Sequence, residues 1–271
     1  MKIYCQWVPW SYSYNASVII KELLNKKVDF IEWCSNFNSV WNKIWKGDNL
    51  WVLPVENSYA WNVHTNLYNF LKYDYKIVWE YNLKISHCLL SKEKDIKKIK
   101  NVYAHPQALN QCYKYLKERW IKANNYWDNW LAAKMVSEEN QKWIWAIASF
   151  EASKIYNLNI LDKDLQDQKW NTTRFFLVAK KSSKIKYKKH KWKITIIFEA
   201  KDIPSSLYKC LWSFATNSVN LSKIESLPSY SWPFSYLFWL DFKWKLKDKN
   251  VTEALKELDF FTSFIKVLWE Y

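Results

Sequence analysis

The sequence predicts an α/β region over residues 1–182, followed by a βαββαβ unit over residues 191–271. Up to about residue 180, short apolar runs alternate with stretches of helical spacing, which is the pattern of an α/β fold. A lysine-rich stretch at 180–193 then interrupts this pattern and is interpreted as a linker. Beyond the linker, the elements follow the order of a ferredoxin-like domain.

Alternating strands and helices in the first region favour largely parallel sheets. The predicted strands are Lys2–Cys5, Trp51–Val55, Lys76–Leu90, Val102–Ala104, Ile144–Ala148 and Phe175–Ala179. The predicted helices are Ser13–Lys26, Ala60–Leu71, Ala108–Arg119, Leu131–Val136 and Ser149–Tyr156.

The second region is predicted to contain four strands and two helices. The strands are Ile194–Glu199, Val219–Ser226, Tyr236–Phe242 and Phe264–Leu268. The helices are Ser205–Thr216, which follows Pro204 near its start, and Val251–Asp259.

Composition narrows the classes of protein that the chain can represent. The formal net charge of +15 indicates either an anionic partner or lysines on solvated faces, and we favour the second, without nucleic acid. Five cysteines without a CxxC pair predict neither a zinc site nor a disulfide framework, which fits a reducing, cytoplasmic compartment. No stretch approaches the roughly 20 apolar residues of a membrane span, so we expect no membrane association.

The chain contains 1 Gly and 20 Trp. Average glycine usage of about 7% predicts about 19 glycines in a chain of this length. Trp also occurs where turns are expected, as at Trp7 and Trp10 around a proline and at Trp232 before Pro233. One hypothesis is that most of these Trp are Gly in the natural protein, from UGA codons read as Trp. The other is a truly Trp-rich protein with an aromatic surface.

If Trp stands for Gly, six sequence blocks resemble the prephenate dehydratase family. They are WVPWSYS at 7–13, LPVENSYAWNV at 53–63, HCLL at 87–90, HPQALNQC at 105–112, AIASFEASKIYNLNIL at 146–161 and NTTRFFLVAK at 171–180. Any one block is weak evidence, but six blocks in the family's order are specific.

The second region resembles the ACT module that follows this catalytic domain in the family. DIPSSLYKCL at 202–211, NLSKIESLP at 220–228 and PFSYLFWLDF at 233–242 carry that likeness. The two resemblances imply a two-lobed catalytic region similar to type II periplasmic binding proteins. They also imply an ACT domain that pairs with its copy in a homodimer or homotetramer.

The reaction that the resemblance implies is loss of water and carbon dioxide from prephenate, which gives phenylpyruvate. Such an enzyme needs a donor at the ring hydroxyl and groups that hold two carboxylates. It needs no metal and no organic cofactor. L-Phenylalanine is the effector that the ACT resemblance implies.

The Thr-Arg-Phe block supplies the first candidates for catalysis. The resemblance implies that Thr173 donates to the leaving hydroxyl and that Arg174 holds a substrate carboxylate. Asn171 is expected to orient one of these neighbours. The alternatives are a local backbone hydrogen bond for Thr173 and a structural ion pair for Arg174.

Other candidates lie at turns and strand ends. Ser11 and Ser13 enter a helix, where they either bind an anion or cap the helix. Glu56 is expected either to act in acid catalysis or to hold its loop. The remaining candidates for substrate binding are Asn57 and Ser58 after a buried strand, Gln107 near a helix start, and Asn129, which takes roughly the place of a family Thr. His87 and His105 are interpreted as structural.

The predicted effector site departs from the family pattern. Ser205, Ser206 and Leu207 stand where the family has Gly-Ala-Leu, and Leu227 replaces the Arg of Glu-Ser-Arg-Pro. The other predicted effector residues are Asn220, Leu221, Glu225 and Ser226. These departures leave feedback by phenylalanine open.

Three alternatives to a prephenate dehydratase stay open at this point, of which the least favoured is nucleic-acid binding by a basic, aromatic-rich surface. An arogenate dehydratase performs the same chemistry on an amino acid substrate. A non-catalytic solute-binding module would use the same fold without turnover.

Overall fold

Three β-sheets organise the part of the chain that the computed structural model describes. The described residues are 1–6, 11–24, 28–34, 39, 43, 49–59, 61–62, 64–139, 143–185, 192–229 and 235–271. They divide into one compact unit of residues 1–66 and 81–175 and a second of residues 67–80 and 176–271. The segment 67–80 therefore groups with the C-terminal part of the chain.

The first sheet has the strand order β2-β1-β3-β11-β5, with β4 paired to β3. Its strands are β1 (Lys2–Gln6), β2 (Phe30–Cys34), β3 (Leu50–Asn57), β4 (Trp61–Asn62), β5 (Tyr75–Lys84) and β11 (Thr172–Lys180). The helices nearby in sequence are α1 (Tyr12–Leu23) and α2 (His64–Lys72).

The second sheet has the order β10-β6-β9-β7-β8. Its strands are β6 (Cys88–Ser91), β7 (Asn101–Ala104), β8 (Lys122–Asn125), β9 (Ile144–Ala148) and β10 (Asn159–Asp162). The helices between them are α3 (Pro106–Gln111), α4 (Tyr113–Glu118), α5 (Asn129–Glu138) and α6 (Phe150–Ile155). Apolar residues of β7, α3 and α4 share one buried cluster.

The third sheet, ordered β13-β14-β12-β15, is antiparallel and has the predicted βαββαβ sequence of elements. Its elements are β12 (Ile194–Ala200), α7 (Ser206–Thr216), β13 (Leu221–Pro228), β14 (Tyr236–Phe242), α8 (Lys249–Phe261) and β15 (Thr262–Glu270). Both helices cover one face of this sheet through a shared core. In this unit Trp239 stacks on Phe176, with ring centroids 6.2 Å apart.

The structure corrects the expectation of largely parallel sheets. In the second sheet, β7 runs parallel to β8 and β9, but β6 runs antiparallel to β9 and β10. A buried strand is a continuous apolar run whichever way its neighbour runs, so the pattern does not encode strand direction.

The predicted helix Ala108–Arg119 is two helices in the structure, separated at Cys112, where φ is −110°. The apolar spacing continues across the break because Leu109, Cys112 and Leu116 enter the same core. Three strands, β2, β8 and β10, had no prediction. Each lies at a sheet edge, where half-exposed residues weaken the apolar signal.

Among the described residues, every helix is too short or too polar to cross a bilayer. The predicted helix Ala60–Leu71 is wrong at its start, because Trp61–Asn62 pairs with β3 as strand β4 and the helix begins at His64. Residues 60 and 63, residues 25–26 of the predicted helix Ser13–Lys26, and residues 186–191 of the lysine-rich stretch lie outside the described residues.

Candidate active site

Asn57 and Thr173 meet where β3 ends and its sheet neighbour β11 begins. The Nδ2 atom of Asn57 donates to Thr173 Oγ1 at 2.9 Å and to Asn171 Oδ1 at 2.9 Å. The backbone N–H of Tyr59 donates to Asn57 Oδ1 at 3.0 Å. The strand ends therefore bring together three of the residues predicted from the sequence.

Thr173 accepts a hydrogen bond through its hydroxyl oxygen, and its side chain lines a cavity of about 110 Å³. A hydroxyl has one proton to donate besides its acceptor lone pairs. Within the part of the chain that the structure describes, no protein acceptor takes that proton. The hydroxyl is thus held through its oxygen while its proton is available to a ligand in the cavity.

Three further side chains extend this arrangement behind the cavity. The Oε1 atom of Gln111 accepts from Asn171 Nδ2 at 3.0 Å and lies 2.7 Å from His87 Nε2. The hydroxyl of Tyr12 lies 3.1 Å from His87 Nδ1 and 3.0 Å from the carbonyl oxygen of Ser86. Burial lowers the pKa of His87, while the Gln111 hydrogen bond opposes part of that shift.

The sequence prediction did not include Tyr12 and Gln111, and it interpreted His87 as structural. All three line the cavity. A signal for Gln111 was present in the HPQALNQC block, because Gln107 and Gln111 are four residues apart and lie on one face of α3.

Arg174 and Glu56 face each other near the same strand ends. Arg174 Nη1 lies 3.4 Å from Glu56 Oε2, and the Arg174 side chain is only 10% exposed. Thr173 and Arg174 are consecutive in an extended strand, so their side chains point to opposite faces. An ion pair is the alternative to carboxylate binding that the sequence left open for Arg174.

The other predicted substrate residues have different positions. Ser58 joins β3 to β11, because its Oγ accepts from the backbone N–H of Thr172 at 2.9 Å. Ser11 caps α1, and Ser13 is buried on that helix. Gln107 and Asn129 line the cavity, and Asn129 Oδ1 accepts from the backbone N–H of His105 at 2.9 Å.

The predicted effector residues divide into two sets within the C-terminal unit. Ser205, Ser206 and Leu207 line a cavity of about 1160 Å³ at the start of α7. Ser205 has φ 61°, the left-handed conformation that favours the glycine expected there. Asn220, Leu221, Glu225 and Ser226 lie on or just before β13, outside that lining.

The fold and site define the class as an α/β enzyme that presents a hydroxyl donor among amide side chains. The family model for prephenate dehydratase matches residues 3–183. The prephenate dehydratase of Methanocaldococcus jannaschii is 38% identical over 243 residues, which are 89% of this chain and 87% of that protein. The chain belongs to the prephenate dehydratase family.

Two further relatives have bearing on substrate and fold. Arogenate dehydratase/prephenate dehydratase 2 of Arabidopsis thaliana is 36% identical, over 88% of this chain and 65% of that protein. The solved prephenate dehydratase of Arthrobacter aurescens in complex with L-Phe is 23% identical. It covers 100% of this chain and 89% of its own, with a TM-score of 0.85. The predicted fold class, an α/β catalytic region of the type II periplasmic-binding-protein kind, is confirmed.

Proposed function

We propose that this chain catalyses the decarboxylating dehydration of prephenate to phenylpyruvate in phenylalanine biosynthesis. The observation that carries the proposal is the Thr173 hydroxyl, which Asn57 holds through its oxygen beside the cavity. Family membership and the 38% identical prephenate dehydratase support the same reaction.

The residues around the cavity match the chemical needs of this reaction. The ring C–O bond and the bond between the ring and its carboxylate both break, and the electron pair of the second bond enters the ring. Carbon dioxide leaves, and the departing hydroxide takes up one proton and leaves as water. The leaving hydroxyl needs a hydrogen-bond donor as its charge develops, and Thr173 supplies one. The side-chain amides of Gln107 and Asn129 line the same cavity and are proposed to bind polar groups of the substrate. No step requires a cofactor.

The proposal assigns supporting roles to the other predicted residues. Arg174 and Glu56 act as an ion pair that holds the ends of β3 and β11 together. Ser58 links the same strand ends through the backbone. Ser11 caps α1, and Ser13 packs within that helix.

Turnover of purified protein tests the assignment. We expect prephenate to be converted to phenylpyruvate, measured by the absorbance of the product enolate in alkali. Arogenate is the second candidate substrate, because the Arabidopsis relative is named for both activities. A higher kcat/KM for arogenate would reassign the substrate, and binding of either compound without turnover would indicate a solute-binding module.

The C-terminal unit is proposed to be an ACT domain that binds L-phenylalanine. Its βαββαβ order and the cavity beside Ser205 support this, as does the L-Phe complex of the Arthrobacter relative. We further propose a homodimer or homotetramer, to be tested by sedimentation velocity. The enzyme is proposed to be cytoplasmic, since all five cysteines are buried and free of disulfides.

Many of the 20 Trp are proposed to be glycines in the natural protein. The helix α4 ends in a Schellman motif, in which Ile121 N–H donates to Leu116 O at 3.0 Å and Trp120 N–H to Lys117 O at 3.2 Å. Trp120 has φ 54° and is 93% exposed, at the position where glycine is the usual residue. Trp143 also has a left-handed conformation, with φ 66°.

Unlike the exposed Trp120, Trp239 is buried and packed, and it is proposed to be Trp in the natural protein. Its ring is buried against Phe70 and Phe176, and its Nε1 donates to Asp241 Oδ1 at 3.0 Å. The codons of the gene test this division. UGA at positions 120 and 143 with UGG at 239 supports the proposal, and UGG at all three overturns it.

A further inference from the structure

We infer that His87 is a positioning residue for Thr173, acting through Gln111 and the two asparagines. The inference rests on the proposed function and assigns a role in it to a side chain that the sequence marked as structural. His87 is 2% exposed, and it lies between Tyr12 and Gln111 on the inner side of the cavity.

The direction of the hydrogen bonds is fixed at one end by the backbone. The N–H of Tyr59 can only donate, so the Asn57 atom that it contacts must be the oxygen. The Nδ2 atom of Asn57 is therefore turned toward Thr173 Oγ1 and Asn171 Oδ1. Because Asn171 Oδ1 is an acceptor in that contact, its Nδ2 must face Gln111.

The same assignment of donors and acceptors extends through Gln111 to His87. The Gln111 oxygen accepts from Asn171 Nδ2, so the histidine nitrogen 2.7 Å from that oxygen must carry a proton. His87 is thus protonated at Nε2. In the neutral ring Nδ1 carries no proton, and the Tyr12 hydroxyl lies 3.1 Å from it while donating its one proton to the Ser86 carbonyl oxygen at 3.0 Å.

His87 is itself held from several sides. Its backbone N–H donates to Gln166 Oε1 at 3.0 Å, and its ring meets Tyr12 edge-on at 5.9 Å. A ring fixed in this way gives Gln111 a single orientation. Without the Nε2 donor, the Gln111 oxygen loses one of its two hydrogen bonds, and the contacts that hold Asn171 and Asn57 in place would loosen.

The consequence for catalysis concerns the direction in which the Thr173 hydroxyl proton points. Asn57 holds Thr173 by its oxygen, which leaves the proton for the substrate. A small displacement of a reacting group lowers kcat strongly, even when the change is made at a distance. A positioning role therefore predicts a loss in kcat with KM little changed.

The test uses four variants of the full chain. His87→Leu removes the donor, and His87→Gln places an amide N–H near the position of Nε2. Tyr12→Phe keeps the ring and removes the hydroxyl that contacts Nδ1 and donates to the Ser86 carbonyl oxygen. Ser91→Ala is the matched control, since Ser91 is fully buried in the same unit and donates to Ile144 O at 3.1 Å.

Turnover and side-chain amide spectra are measured on the same samples. We expect His87→Leu to lower kcat at least about tenfold, His87→Gln to restore most of it, and Ser91→Ala to retain the wild-type kcat. We also expect the ¹⁵N side-chain amide resonances of Asn57 and Asn171 to shift in His87→Leu and not in Ser91→Ala.

The outcomes separate this inference from the proposed function. If wild-type protein does not turn over prephenate, the proposed function fails, and the amide resonances alone decide the inference. If wild-type protein is active while His87→Leu keeps its kcat or leaves those resonances in place, the inference is overturned. If His87→Leu does not fold, Tyr12→Phe with unchanged kcat and unchanged resonances overturns it.

Discussion

Trp120 shows how one residue can conflict with an otherwise regular local structure. Among the helices that the structure describes, three end with a residue of positive φ and a hydrogen bond from the next N–H back to the last turn. The three residues are Trp120, Asn157 and Ser218. Asn tolerates the left-handed conformation well and Ser less well, but a large side chain has a cost there of about 1–2 kcal/mol.

Trp120→Gly is expected to raise the free energy of unfolding by about 1 kcal/mol, because glycine has no Cβ to oppose a left-handed φ. Urea denaturation measures the change. The matched control is Trp239→Gly, the same substitution at a buried, packed position, where a loss of about 3–5 kcal/mol is expected. Destabilisation by both substitutions to a similar extent would contradict the account.

His87 gives the stability of the protein a pH dependence with a definite sign. Burial lowers its pKa below the ordinary value of 6.5. The unfolded chain therefore binds a proton that the folded chain does not, as pH falls below about 6.5. This contribution is fully present above that pH and is lost as pH falls toward the folded-state pKa.

Unfolding curves between pH 8 and pH 5 measure this effect. We expect wild-type stability to fall over the acidic part of the range and His87→Gln to remove part of that fall. An identical pH slope in both proteins would show that His87 does not titrate as described.

At the level of elements, the start of α7 is the proposed contact point for the effector. Ser205 keeps the backbone conformation expected for glycine, and the cavity lies beside it. L-Phenylalanine is therefore expected to slow hydrogen exchange of the backbone amides in the first turn of α7. Amides in the first turn of α8 serve as the control. Equal exchange with and without the amino acid would contradict effector binding at this site.

Across the whole molecule, the sequence predicted the individual helices and strands better than it predicted how they group together. Buried strands such as β3, β9 and β14 stood out as apolar runs, whereas the edge strands β2, β8 and β10 did not. The grouping of residues 67–80 with the C-terminal unit had no local signal, since it depends on packing between distant segments.

Site residues were predictable from the sequence where they belong to a block that resembles the family. Thr173, Asn57 and Asn171 were each predicted as site residues, and the structure brings them together. His87 was interpreted as structural because a buried histidine carries no signal until its partners are known. Gln111 was missed although its spacing from Gln107 places both on one face of α3.

The proposed reaction depends most directly on Thr173, which has a matched control in the adjacent Thr172. Both are threonines in β11, but Thr172 Oγ1 donates to Trp170 O at 2.9 Å and does not line the cavity. Prephenate turnover is measured for Thr173→Ala and Thr172→Ala. We predict that kcat falls at least about 100-fold in the first variant, while the second stays near wild type. Wild-type kcat in Thr173→Ala, or an equal loss in both, would contradict the proposed role of this hydroxyl.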